Sequence, residues 1–464
     1  MAMISIRKSY FYLFTLAIIS TITAPLLIPI TDELTLAAFA TLALTDMIFN
    51  RNFLRYKLMF TLIGVMTFYF VYSLLTSTYS IPKAMLWDYI IQCKPLIAFS
   101  VSYAIAPTFT PKERAVLKLL CLALALIAFI IVVTDIYEDI IAHIYHSGLI
   151  CAGCSIVYLL LSVDSGNPDI LSKKDLRTVV FILLLGLVCT RSKYYGFFVL
   201  CLYMLFVYKP GTVNLKSMRN IAVALSLFVL IVLVAWQKIE YYFITGNSDT
   251  FDPDVMETYA RPVLYVTSFF VFADHLLLGS GLASFATYFS GSDIFYSTLY
   301  HEYGISMLWG LSPTYDDFIA DTFYPELAQF GLIGVFFFVF FCRWIWRKFR
   351  ITLRTQGYRL FSVGVMCIAF LAIDATAGCS ILNASGELLM AVMGIVASAG
   401  SGIPKRQVKD LLKQPANHIL ENNKNEKFRT NVYIDIPYED AEKSIYDGNL
   451  TINKKTNFRF YRYE

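Results

Sequence analysis

The sequence contains few charged residues for its length. Asp, Glu, Lys and Arg together make up 16% of the 464 residues, against about 25% in a typical soluble protein. Hydrophobic residues account for 57%, and the mean hydropathy is +0.60. Several apolar runs reach the roughly 17–25 residues that a helix needs to cross a bilayer. This scarcity of charge excludes an ordinary soluble protein and predicts an all-α polytopic membrane protein.

Three other absences each argue against a class of protein. The nine cysteines are spread singly, nearly all within apolar runs, which argues against a disulfide framework. Cys151 and Cys154 share one helix face, and His143 and His146 have HxxH spacing. Neither pair has further ligands nearby in the sequence, so no metal and no other cofactor is predicted. No internal repeat of fixed period is present, which disfavours a transporter built from paired halves.

About twelve apolar segments alternate with polar links. Their approximate positions are 10–30, 33–49, 58–76, 85–106, 114–134, 146–163, 176–190, 194–208, 219–237, 323–342, 358–375 and 382–400. Helices 1–9 would occupy residues 1–237 and helices 10–12 residues 323–401, followed by a polar tail, 402–464. The one large loop, 238–322, is predicted to form a small folded cap, because a structureless loop of that length is uncommon.

Basic residues are distributed unequally between the two sets of links that twelve spans define. One set contains twenty Lys and Arg residues. The other set contains five, which are Lys83, Arg191, Lys193, Lys238 and Arg261. Because cytoplasmic links carry the excess of positive charge, both termini and the tail are predicted to be cytoplasmic and the large loop to face outward. The net charge of +4 follows from this topology and does not indicate nucleic-acid binding.

Three of the outer cations are candidate substrate-binding residues. Arg191 and Lys193 lie at the mouth of a predicted helical hairpin, where the alternative is that they only extend towards lipid headgroups. Arg261 follows an acidic stretch, 249–257, where the alternative is a salt bridge within the loop. Two guanidinium groups on one face can bind a diphosphate through paired hydrogen bonds. The outer face is therefore predicted to bind a phosphate-containing substrate.

Lys94 is a cation within a predicted span. A charged residue at that depth usually faces the interior of the helix bundle and has a partner. The following Pro95 is predicted to kink or break the helix. Two interpretations stay open for Lys94, a functional cation that binds substrate and a structural ion pair.

Acidic residues near the end of the large loop are candidate general bases. Asp321 directly precedes a predicted span, where a carboxylate can instead cap the helix. Asp317 lies four residues earlier, and the two carboxylates would share one face if the helix extended back that far. His301 is a rival base in the same loop. A general base at this place would take a proton from a sugar hydroxyl.

The order of these motifs resembles that of the O-antigen ligase/polymerase superfamily. The stretch 190–192, Thr-Arg-Ser, is similar to the Ser-Arg element of that superfamily between two spans. Arg261 and the stretch 275–285, which contains Gly279-Ser280-Gly281, resemble its loop pattern, although GxG alone is more typical of a tight turn. The stretch 320–334 resembles the segment that leads into the next span. These motifs cover roughly residues 170–345, and the remainder is similar only in hydropathy.

The resemblance implies a GT-C-like glycosyltransferase of the bacterial inner membrane with a periplasmic active site. Its donor would be a glycan linked to undecaprenyl diphosphate. Its partners would be a glycan acceptor, membrane lipids and a chain-length regulator, with no metal or cofactor. Arg191 and Arg261 would neutralise the leaving diphosphate. Lys193 and Lys94, which their positions alone and not the resemblance single out, would be further substrate-binding cations.

Within that superfamily the acidic residues favour a polymerase. Ligases that act on lipid A-core typically carry a His at the head of the last motif, where this chain has Asp317 and Asp321. Either carboxylate would take the proton of the acceptor hydroxyl, with inversion at the anomeric carbon. The alternatives are a ligase that passes the finished polymer to lipid A-core or another acceptor, and a transporter of lipid-linked oligosaccharide.

Overall fold

This computed structural model describes residues 6–26, 31–141, 143–163, 169–208, 253–292 and 294–400. The described part is mostly helical and has almost no strand. Its helices, labelled in chain order, are α1 (Ile6–Leu26), α2 (Thr31–Asn50), α3 (Lys57–Thr76), α4 (Pro82–Ile105), α5 (Pro111–Val133), α6 (Tyr137–Ile141), α7 (Tyr145–Ser162), α8 (Lys173–Leu185), α9 (Ser192–Leu202), α10 (Pro253–Asp274), α11 (Leu299–Glu302), α12 (Phe323–Glu326), α13 (Gly331–Gln356), α14 (Tyr358–Asp374) and α15 (Ala384–Ser398). Short turns of 3-10 helix extend or join them at Phe53–Tyr56, Gly186–Cys189, Tyr288–Ser290, Leu327–Phe330 and Ser380–Leu382.

Eleven of the twelve predicted membrane segments coincide with helices of the structure. The ninth, 219–237, and the tail, 402–464, lie outside the described residues. Within the described residues, four stretches are long and apolar enough to cross a membrane, namely Phe53–Thr76, Pro111–Val133, Tyr145–Ser162 and Phe323–Gln356. The structure therefore supports a helical membrane protein. That all twelve segments cross the bilayer, and in which direction, stays a prediction.

The helices differ in how much of their surface the protein covers. Every residue of α15 is buried, and α7 is buried almost all round. An apolar helix with this pattern lies among other helices on all sides. Accordingly, α15 packs most extensively against α4, and α7 packs against α5 and α8. Phe53–Thr76 and α5 instead bury only 22% and 33% of the residues in their most apolar stretches, which leaves apolar side chains available to lipid.

The described part of the predicted loop is folded around a small core of its own. Two short strands, β1 (Gly291–Ser292) and β2 (Phe295–Tyr296), pair antiparallel. The ring of Tyr300 stacks on Phe285 with centroids 5.7 Å apart, and the Tyr300 hydroxyl accepts the N–H of Ala286 at 2.8 Å. The buried core residues are Ala260, Leu264, Val271, Phe285, Ala286, Leu299, Tyr300, Ile305, Leu311, Ile319 and Ala328.

Gly279 and Gly281 form a tight turn that joins this region to the start of α13. Their φ angles are +78° and +94°, a region that favours glycine. The Gly281 N–H donates to the Gln329 carbonyl at 3.1 Å, and a Cβ at Gly279 would collide with the backbone of Gln329. Close backbone packing accounts for this GxG pattern, which supports its interpretation as a tight turn.

Candidate functional site

The link between α8 and α9 places Arg191 and Lys193 at the start of a helix. Thr190 adopts a positive φ of +51°, which turns the chain sharply, and Arg191 is the residue that precedes α9. Gly148 of α7 lies against this turn, where a Cβ would contact the Cys189 sulfur at 2.9 Å. The absence of a side chain at Gly148 therefore lets the hairpin pack closely on α7.

Lys193 is held by a buried carboxylate at the end of α14. Its ammonium donates to Asp374 Oδ1 at 2.8 Å and to the Ala377 carbonyl at 2.7 Å, and it lies 3.7 Å from the centroid of the Tyr145 ring. Asp374 is only 1% exposed and also accepts the Tyr145 hydroxyl at 2.7 Å and the Ser380 N–H at 3.0 Å. The charge of Lys193 is thus balanced by the protein itself.

Arg261, on α10, forms an ion pair with Asp321. The Nε of Arg261 donates to Asp321 Oδ2 at 2.7 Å, and a terminal guanidinium nitrogen donates to the same oxygen. The guanidinium also lies over the Phe318 ring, 4.8 Å from its centroid. The residue that caps α12 is Thr322, which makes no side-chain capping bond. The Asp321 carboxylate therefore pairs with Arg261 and does not cap α12, so the capping alternative is not supported.

Arg191 contacts a histidine from the link before α7. A terminal nitrogen of Arg191 lies 2.8 Å from His143 Nε2. The charges of Lys193 and Arg261 also act on His143, and the charge of Lys193 acts on Asp321. The Phe323 N–H, two residues after Asp321, donates to the carbonyl of Ala375, next to Asp374, at 3.2 Å, so the two ion pairs and this contact lie close together. We call the group the cationic cluster, and its members are His143, Arg191, Lys193, Arg261, Asp321 and Asp374.

The cationic cluster carries more positive than negative charge. Desolvation of the ring, followed by the charge of Arg191, lowers the pKa of His143 to about 4, so the ring is neutral at pH 7. Three cations then face two carboxylates, which leaves one positive charge in excess. Burial raises the pKa of Asp321 above its ordinary value, although the charge of Arg261 opposes this shift. The cluster can therefore attract an anion and also provides a carboxylate suited to accept a proton.

Lys94 lies in a different environment. Its ammonium donates to Asp32 at 2.8 Å and to Glu33 at 2.6 Å, and its side chain is 1% exposed. Helix α4 continues through Pro95, so this proline does not break the helix, and the kink stays a prediction. Both partners of Lys94 lie at the start of α2, and the structure shows no hydrogen bond or ion pair between Lys94 and the cationic cluster. These contacts favour the structural ion pair over the substrate-binding role.

The two other candidate bases are outside the cationic cluster. The helix after the loop begins at Phe323, and residues 317–321 form turns, so Asp317 and Asp321 do not share a helix face as the extended helix would require. Asp317 is exposed and makes no hydrogen bond or ion pair with the described residues. His301 is exposed on α11, and its ring contacts that of Tyr296 with centroids 5.4 Å apart. Asp321 is the only one of the three that binds a cation of the cluster.

Sequence reasoning missed three residues of this site. Asp374 and Tyr145 are buried at helix ends and fix Lys193, and His143 stood out only for its HxxH spacing. Asp374 did carry a signal, because an acidic residue at the end of an apolar segment usually has a partner or a function. No signal in the sequence links His143 to Arg191, which is 48 positions away.

Neither a metal site nor a known family emerges from the described residues and the comparisons. In the described ranges, no group of three or more His, Cys, Asp and Glu residues is arranged to hold a metal ion. No protein-family model matches this chain, and no curated protein matches its sequence. Support for a function therefore comes from the geometry of the cationic cluster and from the resemblance of the motifs.

Proposed function

We propose that this chain is a membrane glycosyltransferase that polymerises oligosaccharide repeat units into O-antigen or capsular polysaccharide. The donor is a glycan linked to undecaprenyl diphosphate, and the reaction takes place at the outer face of the bacterial inner membrane. The main support is that Arg191, Arg261 and Asp321 belong to one cluster with excess positive charge. Arg191 is far from the other two in the sequence. Departure of a diphosphate needs positive charge, and attack by a hydroxyl needs a base.

The arginines are proposed to bind the leaving group. As the bond between the anomeric carbon and the diphosphate oxygen breaks, negative charge grows on the diphosphate, and a planar guanidinium can donate two hydrogen bonds to it. Arg191 and Arg261 supply these donors. Lys193 contributes less than the arginines, because Asp374 and the Ala377 carbonyl already bind its ammonium.

Asp321 is proposed to be the general base, and its ion pair with Arg261 connects binding to catalysis. The Nε and one terminal nitrogen of Arg261 both donate to Oδ2 of Asp321, so a diphosphate oxygen that accepted from these two nitrogens would displace the carboxylate. When Arg261 turns to the diphosphate, the Asp321 carboxylate becomes free to accept a proton. The burial that raises the pKa of Asp321 makes it a stronger base after this exchange.

The proposed reaction is a single displacement. The acceptor hydroxyl oxygen attacks the anomeric carbon from the face opposite the diphosphate and forms the new glycosidic bond. The diphosphate departs on its lipid with the electron pair of the broken bond, and the hydroxyl proton passes to Asp321. The anomeric configuration is therefore inverted.

Deletion of the gene tests this function against its alternatives. Without a polymerase, the surface acceptor should carry a single repeat unit, because a separate ligase still transfers it. A bare acceptor with long polymer on the lipid carrier would identify the chain as the ligase instead. A bare acceptor with unpolymerised units on the carrier would indicate the transporter. Gel separation of the surface glycan, together with extraction of carrier-linked glycan, distinguishes the three outcomes.

A further inference from the structure

The contact between His143 and Arg191 leaves one hydrogen-bonding group without a suitable partner. His143 is exposed in the link between α6 and α7, and its Nε2 lies 2.8 Å from a terminal nitrogen of Arg191. At the other side of the ring, the backbone N–H of Tyr145 donates to Nδ1 at 3.0 Å. Arginine has only donors, and a neutral imidazole accepts at one nitrogen and donates at the other. The ring therefore cannot accept from both neighbours.

The Tyr145 contact decides which ring nitrogen carries the proton. The Tyr145 N–H belongs to the first residue of α7, and Tyr145 is 8% exposed. A buried backbone donor is costly to leave without an acceptor, whereas the partly exposed Arg191 can turn to other groups. Nδ1 therefore accepts from Tyr145, and the proton of the neutral ring is on Nε2. With the proton on Nε2, His143 and Arg191 present two donors 2.8 Å apart, so Arg191 turns away from the ring and both groups can donate to one acceptor placed beside them.

Arg191 has a further donor without a partner. Its Nε is buried and makes no hydrogen bond with the described residues. Arg191 also precedes the N-terminus of α9, where backbone N–H groups and the helix dipole favour negative charge. A single anion with several oxygens could accept hydrogen bonds from His143, from Arg191 and from the N-terminus of α9.

The charge of the cluster explains why the additional donor is a histidine. Arg191, Lys193 and Arg261 all act on His143, and a further cation beside them would be repelled. A neutral N–H adds a directional hydrogen bond without adding charge. A second lysine or arginine at this place would instead increase the excess positive charge of the cluster.

We propose that His143 is a neutral hydrogen-bond donor to the diphosphate of the lipid-linked substrate, acting through its Nε2–H beside Arg191. The proposal rests on the proposed function, since the diphosphate is the donor's leaving group. It adds a residue from the link before α7 to the two arginines. It also explains why the Nε2 of His143 faces Arg191, the arginine in the turn between α8 and α9.

Binding of undecaprenyl diphosphate to the purified full-length chain in phosphatidylcholine nanodiscs tests the proposal. We expect His143→Ala to raise the Kd about tenfold, the effect of losing one hydrogen bond to a charged group. His143→Gln keeps an N–H near the position of Nε2 and should stay within about threefold of wild type. His301→Ala, which removes an exposed histidine from α11, should bind like wild type.

Two further probes identify the source of the phosphate. The affinities of the variants for inorganic diphosphate should follow the same order as their affinities for undecaprenyl diphosphate, because His143 contacts the diphosphate. Binding of phosphatidylglycerol in the nanodisc should be the same whichever residue occupies position 143. A loss of phosphatidylglycerol binding as large as that of undecaprenyl diphosphate would identify a general lipid-headgroup site and overturn the proposal.

The failures of the two proposals are distinguishable. Equal binding of undecaprenyl diphosphate by the wild-type protein and by His143→Ala would overturn the role of this histidine and leave the proposed function standing. Wild-type protein that does not bind undecaprenyl diphosphate at all would overturn both.

Discussion

Lys94 and Arg261 are both cations in places where the sequence pattern disfavours positive charge, and the structure surrounds them differently. Lys94 is 1% exposed and faces two carboxylates, Asp32 and Glu33. Arg261 is 31% exposed and faces one carboxylate, Asp321, within a cluster that has more cations than anions. Negative charge is in excess around Lys94, whereas positive charge is in excess around Arg261.

This difference separates a structural ion pair from a binding site. A buried cation whose partners are fixed has no donor to offer to a substrate, and its removal exposes the partners to a medium that solvates them poorly. A partly exposed cation in a positive environment keeps an attraction for anions. The same residue type therefore has opposite expected roles, and variants can test each side of the comparison.

The largest expected effect is on stability at the Lys94 pair. Lys94→Met leaves Asp32 and Glu33 without their cation, and we expect a loss of about 3–5 kcal/mol in the free energy of unfolding. Glu33 is 36% exposed, so the loss should lie at the lower end of that range. Denaturant unfolding of the purified protein measures it.

A triple variant, Lys94→Met with Asp32→Asn and Glu33→Gln, is the matched control for this prediction. It removes the unpaired charges and should recover much of the lost stability. A single Lys94→Met variant that stays stable but loses its activity would instead return Lys94 to the substrate-binding residues.

The arginines of the cationic cluster should affect the reaction rather than the fold. Arg191→Ala and Arg261→Ala should each raise the barrier by about 2.7–4 kcal/mol, a hundred- to thousandfold loss of rate. Arg→Lys should restore little, because a point charge cannot reproduce the planar fork. Transfer assays with membranes adjusted to equal protein level measure this effect. Polymer of normal length from either alanine variant would remove that arginine from the mechanism.

Asp321 should have the next largest effect. Asp321→Asn removes the proposed base and should lower the rate about a hundredfold, the lower end for general base catalysis. Asp317→Asn should lose less and His301→Ala should stay largely active, because neither residue binds a cation of the cluster. An active Asp321→Asn beside an inactive His301→Ala would transfer the role to the histidine and favour the ligase.

The pH profile of wild-type activity gives a second test of Asp321. A base acts in its ionised form, and burial raises the pKa of Asp321 above the ordinary value for an aspartate. Activity should therefore fall as the pH decreases through this raised pKa, at a higher pH than an unperturbed aspartate would give. Asp321→Asn should abolish this acidic limb, and an unchanged limb in the variant would assign it to another group.

Lys193 should have a smaller effect on chemistry than either arginine. Asp374 and the Ala377 carbonyl already satisfy its ammonium, so we expect Lys193→Gln to lower the rate by about tenfold or less. The same transfer assay, normalised to folded protein, measures it. A loss as large as that of Arg261→Ala would show that Lys193 contacts the substrate directly.

The topology can be tested with two cysteines of equal exposure. Met307, in the large loop, and Leu54, in a cation-rich link, are each 86% exposed. With Cys342, which is exposed, replaced by Ser, a membrane-impermeant thiol reagent should label Met307→Cys in intact spheroplasts. Leu54→Cys should react only after permeabilisation. The reverse order would place the cationic cluster on the cytoplasmic side.

Much of the helical framework was predictable from the sequence. The segment 358–375 and helix α14 differ by only one residue at the C-terminal end, and 58–76 and α3 by one at the N-terminal end. Long apolar runs are a local property of the chain, so their positions can be read directly. The Arg191–Lys193 turn was predictable for the same reason, since it is the polar interruption between two such runs.

The partners of the charged residues were not predictable. Lys94 pairs with residues about sixty positions away, and Lys193 pairs with Asp374 at a separation of 181. The exposed position of Asp317 beside the ion pair of Asp321 also follows from a turn that the hydropathy pattern does not contain.

The sequence by itself determined that the chain is helical and apolar and that Arg191, Lys193, Arg261 and Asp321 are exceptional. These properties depend on residue type and spacing along the chain. Only the tertiary structure decided that Lys94 is neutralised by α2, that Arg261 holds Asp321, and that His143 faces Arg191. Electrostatic interactions depend on distance and burial in space, and those are decided by how the helices pack against one another.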